Sequence, residues 1–343
     1  MPREDRIRIP VTILTGFLGS GKTTLLNRVL RDRRFADTAV IVNEIGAIGL
    51  DHLLIEHATD DVVLLDSGCL CCGLQGGLRE TLADLFVRRA AGKIPRFARV
   101  IVETTGVADP GPIANTLVLD ALLRAEFRLA AIVTTVDALH AVAQIAANPE
   151  ALRQIALADV LVMTKMDLAA HAEINTLSER LLGLNSLASR VVSSGEIGLG
   201  LLFPDHRTAP LGTAFESTLW HSGRLAPVGA RDRRFATFER RIEHTVHWSG
   251  IAAWTALVTA RFGDSLLRVK GLFAVGDLGA PVAVHGVSGF FHPPERLTRW
   301  PSADHSSRLV CIGCDLDEAR LEQSLAALMH EEGVAVTDAH YLI

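Results

Sequence analysis

Three cysteines fall within four residues, Cys69, Cys71 and Cys72, bracketed by Gly68 and Gly73. Thiolates at this spacing can converge on one soft cation, Zn²⁺, Cu⁺ or Co²⁺ in preference to Mg²⁺. A closed structural zinc site takes four protein ligands. Only three are local here, so the fourth position falls to a distant residue, water or a client's ligand. An incompletely enclosed site suits transfer better than storage, and a redox-active pair is the alternative chemistry. Cys311 and Cys314 bring the count to five. Cys311 lies in an apolar run and is expected in the core; Cys314 is expected to open the turn into the last helix. A disulfide framework would spread its cysteines to close loops, so this clustering reads as thiol or metal chemistry in a reducing cytosol.

A second constellation is Gly16-Phe-Leu-Gly19-Ser20-Gly21-Lys22-Thr23-Thr24, which contains G-x-x-x-x-G-K-[ST] between an apolar run at 11–14 and a helical stretch. Glycines let backbone N–H groups turn inward around phosphate oxygens, and the helix N-terminus adds its positive end. Lys22 is expected to reach the β- and γ-phosphates, and the Thr23 hydroxyl to ligate Mg²⁺. The run 100–102 ends in Glu103, with Gly106 three residues on. An acid at that tip can hold Mg²⁺ directly or through water, and Gly106 can bring its N–H to the γ-phosphate, making the loop a sensor of that group.

The segment Thr164-Lys165-Met166-Asp167 is similar to the N-K-x-D guanine signature, with Thr164 in place of Asn. A carboxylate at Asp167 can accept from both N1–H and the 2-amino group of guanine. Adenine offers neither donor on that edge, which would leave the carboxylate unpaired. The Lys165 stem would pack over the base. The bland alternative is that Asp167 caps a helix.

These residues need a scaffold. Up to residue 203 the chain alternates near-continuous apolar runs (11–14, 39–42, 62–65, 100–102, 130–136, 160–163, 190–192) with helical stretches (25–31, 78–91, 152–158, 174–182). That pattern predicts an α/β fold, a P-loop parallel sheet with helices on both faces. From 204 to 234 the periodicity fails among prolines, glycines and the run Arg231-Asp-Arg-Arg234, read as a linker. Residues 235–343 predict a smaller α+β domain in the order β-α-β-β-β-α: strand 235–242, helix 251–261, strands 266–275, 282–287 and 309–312, helix 316–329.

The chain has 343 residues, a net charge of −5, 49% hydrophobic and 21% charged residues, so it has the composition of a folded two-domain protein. No basic footprint for nucleic acid is present. The longest stretches without Asp, Glu, Lys or Arg are 17 residues, short of a membrane span and broken by His, Gly or Pro. Residues 1–8 hold five charged side chains, unlike a signal peptide, and a cytoplasmic location is expected. The thirteen histidines are scattered, and each alone reads as surface or cap.

Taken together, Gly16 to Thr24, Val42-Asn43-Glu44-Ile-Gly46, Cys69-x-Cys71-Cys72, Glu103-Thr-Thr-Gly106-x-Ala-Asp109-Pro110, Val136-Asp137-Ala138 and Thr164-Lys165-x-Asp167 resemble the CobW-type P-loop GTPases. These are SIMIBI-class metallochaperones related to those that mature urease and hydrogenase. Arg268-Val-Lys270-Gly271 and Arg308 to Asp315 look like that family's smaller domain. The resemblance implies GTP hydrolysis with magnesium and handling of zinc, or cobalt, for a client metalloprotein. Where relatives often read N-E-F-G-E, this chain has Ala47 in place of the second acid, which leaves Glu44 as an additional candidate ligand. The segment 43–51 would be a switch ordered by the γ-phosphate. No arginine finger is assigned within the chain, so hydrolysis alone is expected to be slow, with a partner or a homodimer completing the site. A metal buffer without a client and a P-loop small-molecule kinase are the alternatives left open by the residues.

Overall fold

The structure is a computed structural model that describes residues 8–42, 63–66, 76–193, 199–203, 235–301 and 303–329. The cysteine segment with Cys69, Cys71 and Cys72, the proposed switch with Glu44, and the stretch 204–234 lie outside the described residues. The chain divides into two compact units, 1–230 and 231–343. No helix among the described residues is long and apolar enough to cross a membrane.

In the first unit the order is β1 (Ile9–Gly16), α1 (Lys22–Leu30), β2 (Thr38–Val42), β3 (Val63–Asp66), α2 (Gly76–Ala90), β4 (Arg99–Glu103), α3 (Pro110–Leu119), α4 (Ala121–Glu126), β5 (Phe127–Asp137), α5 (Ala141–Ala147), α6 (Pro149–Leu157), β6 (Val160–Thr164), α7 (His171–Leu184), β7 (Ser189–Val192) and α8 (Leu199–Leu202). All seven strands run parallel in the order β3-β2-β4-β1-β5-β6-β7. Alternate residues point to opposite faces of a strand, and both sets are buried in β1, β2, β4, β5 and β6, while β7 at the edge is partly exposed. Leu14, Val40, Ile101 and Val133 join α1 and Phe35 in one core, while Ile13, Ile41, Val102 and Ile132 are buried beneath the other face. Helices α3 and α6 pack on β1 and β5.

The second unit runs β8 (Phe235–Ile242), α9 (Trp248–Phe262), β9 (Leu266–Phe273), β10 (Val282–Val287), β11 (Phe290–Phe291), β12 (Glu295–Arg296), β13 (Ser307–Cys314) and α10 (Glu318–Ser324), which tightens into a 3₁₀ turn over Leu325–Met329. Its strands form an antiparallel sheet, β11-β10-β9-β13-β8, with β12 beside β10. The order differs from the expected β-α-β-β-β-α by two added strands of two residues each. The last helix is also shorter than 316–329. Trp254 of α9 is fully buried among Phe238, Phe273 and Leu321, and its indole N–H donates to Ser324 Oγ at 3.0 Å. Cys311 sits in this core as expected, and burial pushes its thiol pKa up, away from the reactive thiolate. Cys314 ends β13 and is half-buried.

Candidate functional site

Parallel strands deliver their C-terminal ends to one edge of the sheet, and the candidate residues collect there. β1 ends in Gly16 and α1 begins at Lys22, so residues 17–21 form the connecting loop. Gly16, Gly19 and Gly21 have φ of 142°, 71° and 94°, values that side-chain-bearing residues avoid. Gly21 precedes α1 without offering a side-chain cap, so the first-turn N–H groups face the loop, as an anion site requires. The Lys22 ammonium donates to Gly16 O at 2.8 Å, with Phe17 O at 3.4 Å, and so lies over the loop. Ser20 Oγ pairs with Thr135 Oγ1 at 2.7 Å, fixing the loop to β5.

Glu103 ends β4 beside Leu14 of β1, and its carboxylate is buried, 4% exposed. Thr23 Oγ1 donates to Glu103 Oε1 at 2.8 Å. Adjacent ligands of an octahedral magnesium ion lie about 2.9 Å apart, so this hydroxyl–carboxylate pair fits that ion in both donor type and spacing. Two residues on, the Thr105 hydroxyl oxygen is buried with no hydrogen-bond partner among the described residues, which also suits a site for an ion and its water. Gly106 lies flush against the phosphate loop. A Cβ there would fall 2.8 Å from Leu18 N and 2.9 Å from Leu18 Cα, so any side chain would collide with backbone.

The base side is built from the tips of β5 and β6, where Asp137 pairs with Thr164. The Thr164 hydroxyl donates to Ser20 O at 2.8 Å, with Val136 O at 3.2 Å. Thr164, standing where the guanine signature has Asn, therefore ties this segment directly to the phosphate loop. Lys165 adopts φ 56°, and its ammonium donates to Asp137 Oδ2 at 2.7 Å. Asp167 is exposed and caps no helix, since α7 begins only at His171 with Ala170 as its N-cap. Thr24 occupies the third position of α1.

Asp137 is marked in the sequence only within the run Val136-Asp137-Ala138, with no role assigned. It is 2% exposed and accepts from Lys165, from the Leu139 N–H at 2.9 Å and from His140 Nδ1 at 2.9 Å. Burial raises its pKa, but the hydrogen bonds from Lys165, His140 and Leu139 and the Lys165 charge outweigh that and hold the carboxyl below its ordinary value. With the folded-state pKa below the unfolded value of about 3.9, the stabilisation is complete above that pH. It is lost as pH falls through the folded-state pKa. Asp137→Asn is expected to lower the melting temperature at pH 7, with the deficit shrinking as the pH drops from about 5 to 3. A deficit that is the same at both ends of that range would contradict this role.

Comparison with known proteins gives the following. The family description "CobW/HypB/UreG, nucleotide-binding domain" matches residues 10–192, and "Cobalamin synthesis protein cobW C-terminal domain" matches residues 235–329. The chain is 32% identical over 321 residues to the zinc chaperone YjiA of Escherichia coli, covering 93% of this chain and 98% of that one. It is 32% identical to the zinc-regulated GTPase metalloprotein activator 1 of Saccharomyces cerevisiae, over 94% of this chain and 84% of the relative. The crystal structure of the Zn(II)-bound YjiA GTPase from E. coli superposes with a TM-score of 0.70 at 28% identity, covering 94% of this chain and 99% of that chain. With a matching nucleotide-binding domain, a matching C-terminal domain and a relative aligned nearly end to end, the chain belongs to the CobW/HypB/UreG family of nucleotide-binding proteins.

Proposed function

We propose that the protein is a GTP-hydrolysing metallochaperone that carries zinc on Cys69, Cys71 and Cys72 and releases it to a client metalloprotein when GTP is hydrolysed. The observation that supports coupling of the two chemistries is a row of the sheet. Leu14 pairs with Glu103, Glu103 with Val42, and Val42 with Asp66. The strands that precede the segment with Glu44 and the segment with the three cysteines therefore end, at Val42 and Asp66, level with Glu103, the proposed magnesium ligand. Neighbouring strands lie about 4.8 Å apart, so Asp66 stands about 10 Å from Glu103.

Gly16, Gly19, Ser20, Gly21, Thr23 and Thr24 surround the phosphates, and Lys22 neutralises the β- and γ-oxygens. Magnesium held by Thr23 and Glu103 would supply further positive charge at the same oxygens. Water adds to the γ-phosphorus, and GDP leaves with inorganic phosphate. Gly106 reports whether the γ-phosphate is present. Thr164 ties the base segment to the loop, Lys165 lies along the base, and Asp167 reads its edge. Asp167→Asn replaces an acceptor of two hydrogen bonds with an amide, and loss of such a pair corresponds to about 5- to 150-fold in selectivity. The GTP-over-ATP preference of the variant is expected to fall by that factor in competition binding; an unchanged preference removes the assignment.

A client, or a second copy of the chain, would supply what accelerates hydrolysis. The reading as a whole is tested by elemental analysis of the purified protein alongside its GTPase rate with and without zinc. Bound zinc and a rate that responds to it are expected; a protein without zinc whose rate ignores the metal would refute it.

A further inference from the structure

Helix α6 carries two consecutive side chains that grip the loop after β4, and neither has a part in the chemistry described above. Gln154 is 1% exposed. Its Nε2 donates to Ala108 O at 2.9 Å and to Gly106 O at 3.2 Å, which uses both amide hydrogens. The preceding residue, Arg153, donates to Asp109 Oδ2 at 2.9 Å, while Asp109 caps α3 through the Gly111 N–H at 2.8 Å. The loop is thus tied at Gly106, Ala108 and Asp109, and Val107, between the ties, stays exposed.

The orientation of the Gln154 amide is fixed by its surroundings. Turned over, it would set an oxygen against two carbonyl oxygens. As placed, its Oε1 is buried without a hydrogen-bond partner among the described residues, an arrangement that costs free energy. A small cavity of about 10 Å³, lined in part by Phe17, Thr135, Gln144 and Gln154, lies against this side chain. That is about the room one water needs. The Gln154 backbone is anchored, since its main-chain carbonyl accepts from Thr134 Oγ1 of β5 at 2.9 Å. The two carbonyls are thereby referred to the same strand that holds the phosphate loop through Thr135 and Ser20.

We infer that Gln154 is the positioning residue of the γ-phosphate sensor. It holds Gly106 by its carbonyl, flush on the phosphate loop, before nucleotide arrives, so that the N–H on the other side of Gly106 distinguishes GTP from GDP without first ordering this loop. This rests on the reading of Gly106 as the residue that meets the γ-phosphate. Arg153 secures the far end of the same loop.

The test measures affinities for GDP and for a non-hydrolysable GTP analogue, with magnesium, in the full chain and in Gly106→Ala, Gln154→Leu and Arg153→Ala, together with melting temperatures. Gln154→Leu is expected to lower the preference for the analogue over GDP about five- to tenfold, because two hydrogen bonds are lost. GDP affinity should stay within about twofold. Arg153→Ala is expected to move the preference the same way by less. A purely structural Gln154 would lower the melting temperature or both affinities equally and leave the preference unchanged, which overturns the inference. An unchanged preference in Gly106→Ala instead overturns the sensor reading beneath it. Should Gln154→Leu not fold, Gln154→Asn, whose shorter amide cannot span both carbonyls, carries the same expectation and the same refutation.

Discussion

Lys22→Ala is expected to lower the GTP hydrolysis rate about 100- to 1000-fold, the usual effect of removing a preorganised charge aimed at a transferring phosphoryl group. The ammonium lies over the loop already, held by Gly16 O at 2.8 Å. It therefore needs little reorganisation when the carbonyl contact gives way to phosphate oxygens. Without it, the backbone N–H groups and Thr23 remain, so GDP binding should weaken far less than turnover. The side chain is only half-buried, and its loss should leave the melting temperature close to that of the unaltered chain. Phosphate release under saturating GTP checks the prediction. A rate within about threefold of the original would mean that Lys22 is not placed on the transferring group.

The second large effect concerns the thiolates. Structural zinc sites are worth about 10–16 kcal/mol spread over four ligands, roughly 3 kcal/mol each. Replacing Cys69, Cys71 and Cys72 by serine is therefore expected to weaken zinc binding by at least about 1000-fold. Cys311 provides the internal control. It is buried in the second unit's core, so its thiol should neither bind zinc in the intact fold nor rescue the triple variant. Competition with a chromogenic chelator reads the difference. A triple variant that retains zinc affinity within about tenfold would place the cargo on other residues.

Much of this architecture was legible in the sequence, for identifiable reasons. The inner parallel strands are covered on both faces and so appear as continuous apolar runs; the phosphate loop announces itself because glycines suit its positive-φ backbone. The helix Pro110–Leu119 was not read, since nearly every residue in it is buried and a helix without a polar face has no amphipathic period. The contacts of Asp137 and Gln154 are illegible for a different reason, although Asp137 stands in the run Val136-Asp137-Ala138. Asp137 meets Lys165 only because β5 pairs with β6, and Gln154 meets Gly106 across 48 residues of chain. No local pattern encodes either contact. The cysteine cluster is visible in sequence as residue type and spacing, and it lies outside the described residues. Thr164 lies between, its departure from Asn visible in sequence and its bond to Ser20 O visible only in the fold.

The claim at the centre is that the nucleotide and the thiolate site are energetically linked. Linkage is reciprocal, so a nucleotide that changes zinc affinity by some factor must have its own affinity changed by zinc by the same factor. The most direct test is a zinc titration of the full chain with GDP and with a non-hydrolysable GTP analogue, repeated in the Cys69/Cys71/Cys72→Ser variant. The expected result is zinc bound at least about fivefold more tightly with the analogue than with GDP, and no such difference in the variant. Equal zinc affinity in all four titrations would contradict the coupling of metal to nucleotide.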